Sequence, residues 1–375
     1  MKNNLAVVFI FSLMACSSPV EQILYGNEVL SKLEIKEFEG RPKNIILLIG
    51  DGTGLNQITL SRMAISGVNS RLYIDQLPYS GISLTHSADN IITDSAAAAT
   101  AWATGTKTKN KFISVTPNEK VLTSLTEAIF KKGYLSGIVA TSSITHATPA
   151  AFYAHVNNRY KEKKIASQLQ NSNINIAFGG GLNFFDLSAT NDQIKYIYDL
   201  DELKNINTSS KRIIGLFDND GIRRSPDRPS QQLMTKKALD ILAKRTAECS
   251  GFFLMTEGSQ IDWASHDNDA SRMITEFRDF DLSIKSAVEF INTRDDTLLI
   301  VTADHETGGL QILKEDNDLV HIQWGAGSHT GIPVGVFSYG PGAELFTGTM
   351  DNTEIHTKIL EIIDFDSIPD SSCEY

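Results

Sequence analysis

From Lys43 onward, short apolar runs alternate with longer helix-like stretches, and several runs stop just before residues that carry chemistry. Asn44–Ile49 (NIILLI) is continuously apolar and ends at Gly50. Runs of this kind are strands buried on both faces, as in parallel sheets. Ser136–Ala140, Ile174–Phe178, Gly251–Met255, Leu298–Thr302 and Pro333–Ser338 repeat the signal, and Val121–Lys132, Gln231–Glu248 and Ser271–Asn292 read as helices. This order predicts an α/β fold: a doubly wound, mostly parallel central sheet with helices on both faces. Residues 43–375 are expected to form one such domain, with the polar, irregular stretch near 183–230 as an accessory insertion.

In open sheets of this type, ligands bind beyond the carboxyl ends of the strands. Asp51 follows the first run, and His146 and Thr148 follow Ala140. Glu257, Asp262 and His266 follow Met255, and Asp304 and His305 follow Thr302. A single acid after a strand is a loop residue in water more often than not; four coincident strand ends point to a site.

Charge narrows the function. The chain carries 45 Asp and Glu against 34 Lys and Arg, a formal net charge of −11. Nucleic-acid binding needs a basic footprint, so no such role is expected. An anionic substrate must be attracted locally, by metal ions or a placed arginine.

The residue types at the strand ends suit metals. Asp262 and His266 are four apart and share one helical face, a carboxylate–imidazole pair that fits zinc, though alone it reads equally as a surface pair. Asp304-His305 sits in TADHETGG, and His329 sits in the loop GSHTG. Together they are too many ligands for one zinc and a reasonable set for two. Asp51, Thr148 and Glu257 are hard oxygen donors, which suit magnesium.

Thr93-Asp94-Ser95 precedes an alanine-rich run, AAAATAWA, with strong helix propensity. Ser95 thus falls at or near a helix N-terminus, where negative charge is favoured. Either the serine is a nucleophile or one of the three residues only caps the helix. No Gly-x-Ser-x-Gly elbow exists, so an activated serine would need a metal.

Residues 1–16, MKNNLAVVFIFSLMAC, place one Lys before an apolar run too short to span a membrane but suited to a signal peptide. Leu13–Cys16 resembles a bacterial lipobox. Cleavage before Cys16 and lipidation of its thiol are expected, with 17–42 as a tether and a periplasmic or outer-membrane-anchored protein as the product. Cys249 and Cys373 then remain, and nothing in their spacing argues for pairing, so two free thiols are expected.

Six motifs in order resemble the alkaline phosphatase family: IGDGTG (49–54), TDSAAAATAWATG (93–105), THATPAAFYAH (145–155), EGSQIDWASH (257–266), TADHETGG (302–309) and GSHTG (327–331). The resemblance covers about Lys43 to Tyr339. It implies hydrolysis of small phosphate monoesters with two Zn2+ and one Mg2+ per chain. Asp262, His266 and His329 would hold the first zinc. Asp51, Asp304 and His305 would hold the second, beside Ser95 as the phosphorylated nucleophile. Asp51, Thr148 and Glu257 would hold magnesium, with Asp51 bridging. Arg159, in HVNNR, matches the family's phosphate-clamping arginine, and two in-line steps would retain configuration at phosphorus. Dimers are usual in the family, so a homodimer is compatible with the sequence.

Two residues depart from the commoner pattern. His146 stands where some members have aspartate, and Trp263 where others have lysine or histidine; this resembles the His/Trp variant of marine and cold-water bacterial members. His146 is expected to act around magnesium rather than on it, and Trp263 either packs or tunes phosphate release. The short interval between His305 and His329 leaves no room for the large crown insertion many members carry. The alternatives are a phosphodiesterase or sulfatase of the same superfamily, or a non-catalytic metal or phosphate binder. Ser95-Ala96-Ala97-Ala98-Ala99 lacks the arginine of the sulfatase signature, and no ligand position is lost.

Overall fold

The computed structural model describes residues 19–188, 193–206, 210–246 and 249–373. The expected signal peptide and Cys16 lie outside them.

Ten strands form the central sheet: β1 (Asn44–Gly50), β2 (Tyr79–Leu84), β3 (Tyr134–Ser143), β4 (Ile176–Gly180), β5 (Ile194–Ile197), β6 (Arg212–Leu216), β7 (Gly251–Gly258), β8 (Thr297–Thr302), β9 (Val334–Tyr339) and β10 (Gly348–Asp351). Their order is β10-β2-β9-β8-β1-β7-β3-β4-β6-β5. All neighbours are parallel except β9, which runs antiparallel to both β2 and β8. This is the expected mostly parallel sheet. Its centre, β1, is buried at every position. Ile46 and Leu48 face a core built with the helices Leu55–Ser66, Gln231–Arg245 and Ala270–Ile291. Ile45, Leu47 and Ile49 face a second core with the helices Ser95–Thr104 and Asn352–Ile362. A central strand sandwiched this way needs apolar side chains on both faces, hence the unbroken run.

The alanine helix Ser95–Thr104 is buried along nearly its whole length, from Ser95 to Ala103. Alanine lets it pack closely on all sides while keeping high helix propensity. Asp94 is its N-cap and accepts the Ala97 N–H at 3.0 Å; Gly105 closes it in the left-handed region at φ 66°. The open choice among Thr93, Asp94 and Ser95 as cap thus resolves to Asp94. Ser95 is the first helical residue, and its hydroxyl is not used for capping.

Three expectations need correction. Residues 183–230 are not simply an accessory insertion, because they supply β5, the edge strand on one side of the sheet, and β6 beside it. Edge strands bury fewer positions, and β5 has only its two end residues buried, so its apolar signal is weak; β6 is buried from Ile213 to Leu216, but that run is short. Second, the stretch expected as a tether over 17–42 is packed along the domain from residue 19 onward. Glu21–Leu24 pairs antiparallel with Leu319–Trp324, which forms a hairpin with Leu310–Asp316. Gly26 and Glu28 donate backbone hydrogen bonds to Met63 and Ile65, and Leu33 is buried. Third, Cys249 and Cys373 form a disulfide rather than two free thiols, their Cα atoms 5.2 Å apart across 124 residues of sequence. The C-terminal tail is drawn there by the Ser371 N–H bonding to Lys131 O and by Lys132 Nζ donating to Ile368 O. No helix among the described residues is long and apolar enough to cross a membrane.

Candidate active site

The carboxyl ends of β1, β3, β7 and β8 converge. Asp51 leaves β1, Glu257 is the penultimate residue of β7, and Asp304-His305 follow β8. Asp262 and His266 lie on the helix Gln260–His266, and His146 and Thr148 at the short helix Ala147–Ala150 after β3. Ligand atoms fall into three groups, each within 4.8 Å: Asp262, His266 and His329; Asp51, Asp304 and His305; and Asp51, His146 and Glu257. Asp51 is common to two groups.

The first group calls for a cation. His266 Nδ1 faces Gly327 O at 2.9 Å, and His329 Nδ1 faces Thr93 O at 3.0 Å. A backbone carbonyl only accepts, so each ring carries its proton on Nδ1. The two Nε2 lone pairs then point at one another, 3.0 Å apart, with Asp262 Oδ1 at 3.4 Å and 3.6 Å from them. Two lone pairs and a carboxylate aimed at one spot, with no proton among them, are a ready ligand set for an electrophile.

The second group is fully buried. His305 Nε2 lies 3.0 Å from Asp304 Oδ2, 3.8 Å from Asp51 Oδ1 and 3.4 Å from Ser95 Oγ. Asp304 Oδ1 is spent on the backbone N–H groups of Gly52 and His305, each at 2.9 Å. Both Asp51 oxygens, Asp304 Oδ2, Glu257 Oε1 and Thr148 Oγ1 are buried without a hydrogen-bond partner. Burying so many unpaired oxygens is costly unless a cation takes them. The donor sets therefore fit the metals: nitrogen and carboxylate at the first two groups, oxygen alone from Asp51, Thr148 and Glu257 at the third. Burial, then the carboxylates of Asp304, Asp262 and Glu257, drives the Asp51 pKa well above the usual range. Burial pushes Glu257 up to about 7.

His146 bears on the third group differently. Arg159 Nη2 lies 3.1 Å from His146 Nε2. Arginine only donates, so Nε2 accepts and the ring proton sits on Nδ1, which is buried without a partner. Burial, then the Arg159 charge, pushes the His146 pKa down to about 3, so the ring is neutral. In this tautomer Nδ1 is a donor.

Arg159 is aimed by two partners. Nη1 donates to Asp94 Oδ2 at 3.0 Å while Nη2 holds His146. Asp94 thereby caps the helix that Ser95 opens and steers the arginine beside it; the sequence placed it next to Ser95 without giving it that role. Trp263 stands edge-on to His146, ring centres 5.8 Å apart. Gly221 leaves it that room, since a Cβ there would come within 2.5 Å of the indole. The loop from 217 to 230 thus reaches the site through Trp263. It is fixed by Gln260 Nε2, which donates to Thr141 O and Ile222 O.

Sequence reasoning also missed polar residues behind the ligands. Ser259 Oγ donates to Glu257 Oε2 at 2.6 Å. Thr307 Oγ1 donates to Asp262 Oδ1 and lies 3.2 Å from His305 Nδ1, linking two ligand groups. Thr307 stood inside a quoted motif, yet a hydroxyl two residues from a ligand gives no signal of which ligand it touches.

Comparison with known proteins adds a family. A family model described as alkaline phosphatase matches residues 42–193 and 178–322. Alkaline phosphatase 4 of Bacillus subtilis is 32% identical over an alignment covering 88% of this chain and 90% of its own length. The solved alkaline phosphatase of the Antarctic bacterium TAB5 superposes with a TM-score of 0.78 at 35% identity, covering 88% of this chain and 99% of its own. A variant of that enzyme with one histidine replaced by aspartate has been solved with Mg bound in a site called M3, with the same TM-score of 0.78.

Proposed function

The chain belongs to the alkaline phosphatase family and is a metal-dependent phosphomonoesterase; from that premise we propose that it works through a phosphoserine on Ser95, with two zinc ions and one magnesium. The observation that carries the reading is Ser95 Oγ at the N-terminal end of a buried helix, 3.4 Å from His305 Nε2 and next to the Asp51–Asp304–His305 group.

Asp262, His266 and His329 would hold one zinc, Asp51, Asp304 and His305 the other, and Asp51, Thr148 and Glu257 the magnesium. When bound, such ions lower the pKa of an oxygen nucleophile and neutralise charge on a leaving oxygen. The chain's own groups do the rest. Ser95 Oγ attacks phosphorus in line; its bond to phosphorus forms as the bond to the leaving alkoxide breaks. The helix N-terminus favours the anionic serine and the phosphoryl group beside it. Arg159, steered by Asp94 and His146, offers its N–H donors to the phosphoryl oxygens. The Ser95 hydroxyl proton passes to solvent and the leaving alkoxide takes one up to depart as the alcohol; water then attacks the phosphoserine, the Ser95–phosphorus bond breaks, and a proton of that water passes to Ser95 Oγ as inorganic phosphate leaves. Elemental analysis of the purified protein is expected to give about two zinc and one magnesium per chain; one ion in total would refute the three-ion reading.

Arg159→Ala is expected to lower kcat/KM roughly a hundredfold and to weaken inhibition by inorganic phosphate, as loss of one transition-state donor set does. Arg159→Lys should restore only part, because a point charge cannot replace the fork. Unchanged phosphate inhibition in Arg159→Ala would remove the arginine from the site. The function as a whole is tested by turnover of a monoester, a diester and a sulfate ester side by side, with and without chelator. Monoester turnover should dominate and vanish with chelator; dominant diester or sulfate turnover would favour the superfamily alternatives.

The chain from residue 19 onward would be the catalytic domain, exported and anchored by lipid on Cys16 in the periplasm or at the outer membrane. The leader-like 1–16 segment supports export, and so does the Cys249–Cys373 disulfide, since such bonds persist in oxidising compartments. The mass of the mature N-terminal peptide tests the anchor: an unmodified Cys16 would exclude it. A homodimer is proposed as the assembly, and a monomeric mass by light scattering would exclude that.

A further inference from the structure

Glu306 follows His305 and is 3% exposed, yet it pairs with no basic side chain among the described residues and takes no part in the chemistry above. Its carboxylate is instead fully used by neutral donors. Oε1 accepts from Gln57 Nε2 at 2.7 Å and from the Leu310 N–H at 3.2 Å. Oε2 accepts from Thr330 Oγ1 at 2.5 Å and from the Gly309 N–H at 3.2 Å. A buried carboxylate is tolerated when its lone pairs are filled in this way.

What matters is where those donors lie. Gln57 Oε1 accepts the Gly54 N–H at 3.1 Å, closing the turn that begins at Asp51, and its Nε2 also donates to Thr307 O at 2.7 Å. The Glu306 stem lies against the same turn: a Cβ on Gly54 would come 2.4 Å from Glu306 Cγ. Glu306 and Thr307 pair antiparallel with Thr330 and His329. One side chain therefore ties together the segments that carry Asp51, His305 and His329. In the ligand reading above, these belong to both zinc centres.

We infer that Glu306 is a positioning residue that sets the spacing of the two zinc centres by knotting the Asp51, His305 and His329 segments together. The inference rests on the two-zinc reading. It also separates charge from shape. Glutamine would fill the same space but bring an NH2 group toward donors, and a backbone N–H cannot turn round to accept. Partners behind metal ligands commonly govern metal affinity by 10–100-fold.

The test is zinc affinity by chelator competition in the wild type, Glu306→Gln, Glu306→Ala and Thr330→Val, with circular dichroism to confirm folding. The wild type should bind two zinc ions. Glu306→Gln should remain folded, bind zinc at least about tenfold more weakly, and show a lower kcat at saturating zinc with KM for a monoester unchanged. Thr330→Val should shift affinity the same way by less. If Glu306→Ala does not fold, Glu306→Gln and Thr330→Val decide. A folded Glu306→Gln protein with wild-type zinc affinity would overturn the inference while leaving the two-zinc reading intact. A wild type that binds fewer than two zinc ions would overturn both.

Discussion

Ser95→Ala is expected to lower monoester turnover at least about 10⁴-fold, as loss of a covalent nucleophile does, while leaving the fold and the metal content close to wild type. The asymmetry follows from position. Ser95 Oγ neither caps its helix nor holds a neighbour in place; Asp94 caps, and among the described residues the hydroxyl meets His305 Nε2 at 3.4 Å. Removing it takes one oxygen from a buried helix already rich in alanine, and alanine at the first helical position keeps the propensity. Steady-state rates and metal analysis of the same preparation check both halves. Turnover within tenfold of wild type would mean that another group attacks phosphorus.

Removal of the metals is expected to be the second large effect. Chelation should abolish turnover and lower the melting temperature. An ion present at about 1,000 times its Kd stabilises the folded state by about 4 kcal/mol. The loss should also depend on pH. With the ions stripped, burial leaves Glu257 with a pKa of about 7, above the ordinary glutamate range. A carboxyl whose folded pKa is raised binds more protons folded than unfolded, so stability falls as pH rises from about 4.5 toward 7 and stays lost above it. Asp51 is raised as well and acts in the same direction. The chelated protein should therefore melt lower at pH 9 than at pH 6, and the metal-loaded protein should lose much less over that interval. Equal pH dependence with and without metals would contradict the assignment of these oxygens to cations. Zinc and magnesium added back together should restore both rate and melting temperature.

Much of this site was legible because its chemistry lies next to strong local signals. Asp51 follows an unbroken apolar strand, Asp262 and His266 share a helical face by spacing alone, and Ser95 opens an alanine run. The central strands matched their predicted runs to within a few residues because burial on both faces forces continuous apolarity. What stayed hidden depends on partners remote in sequence. Nothing local shows that Asp94 would hold Arg159, or that Glu306 would gather donors from Gln57, Leu310, Gly309 and Thr330. Cys249 and Cys373 meet only because the C-terminal tail folds back onto the Lys131–Gly133 turn. The edge strand β5 and the packed arm from residue 19 bury too little apolar surface each to announce themselves, and the buried run of β6, Ile213–Leu216, is too short to stand out. His146 was legible as a residue beyond a strand end, but its tautomer became clear only with Arg159 beside it.

The central claim is the covalent step at Ser95, and the most direct measurement is acid quenching of the metal-loaded enzyme during monoester turnover, followed by mass analysis of the peptide that contains Thr93–Thr104. The account predicts one phosphoryl group on Ser95, absent in Ser95→Ala and absent after chelation. A phosphoryl group on another residue, or none under conditions where a slow second step must let it accumulate, would contradict it.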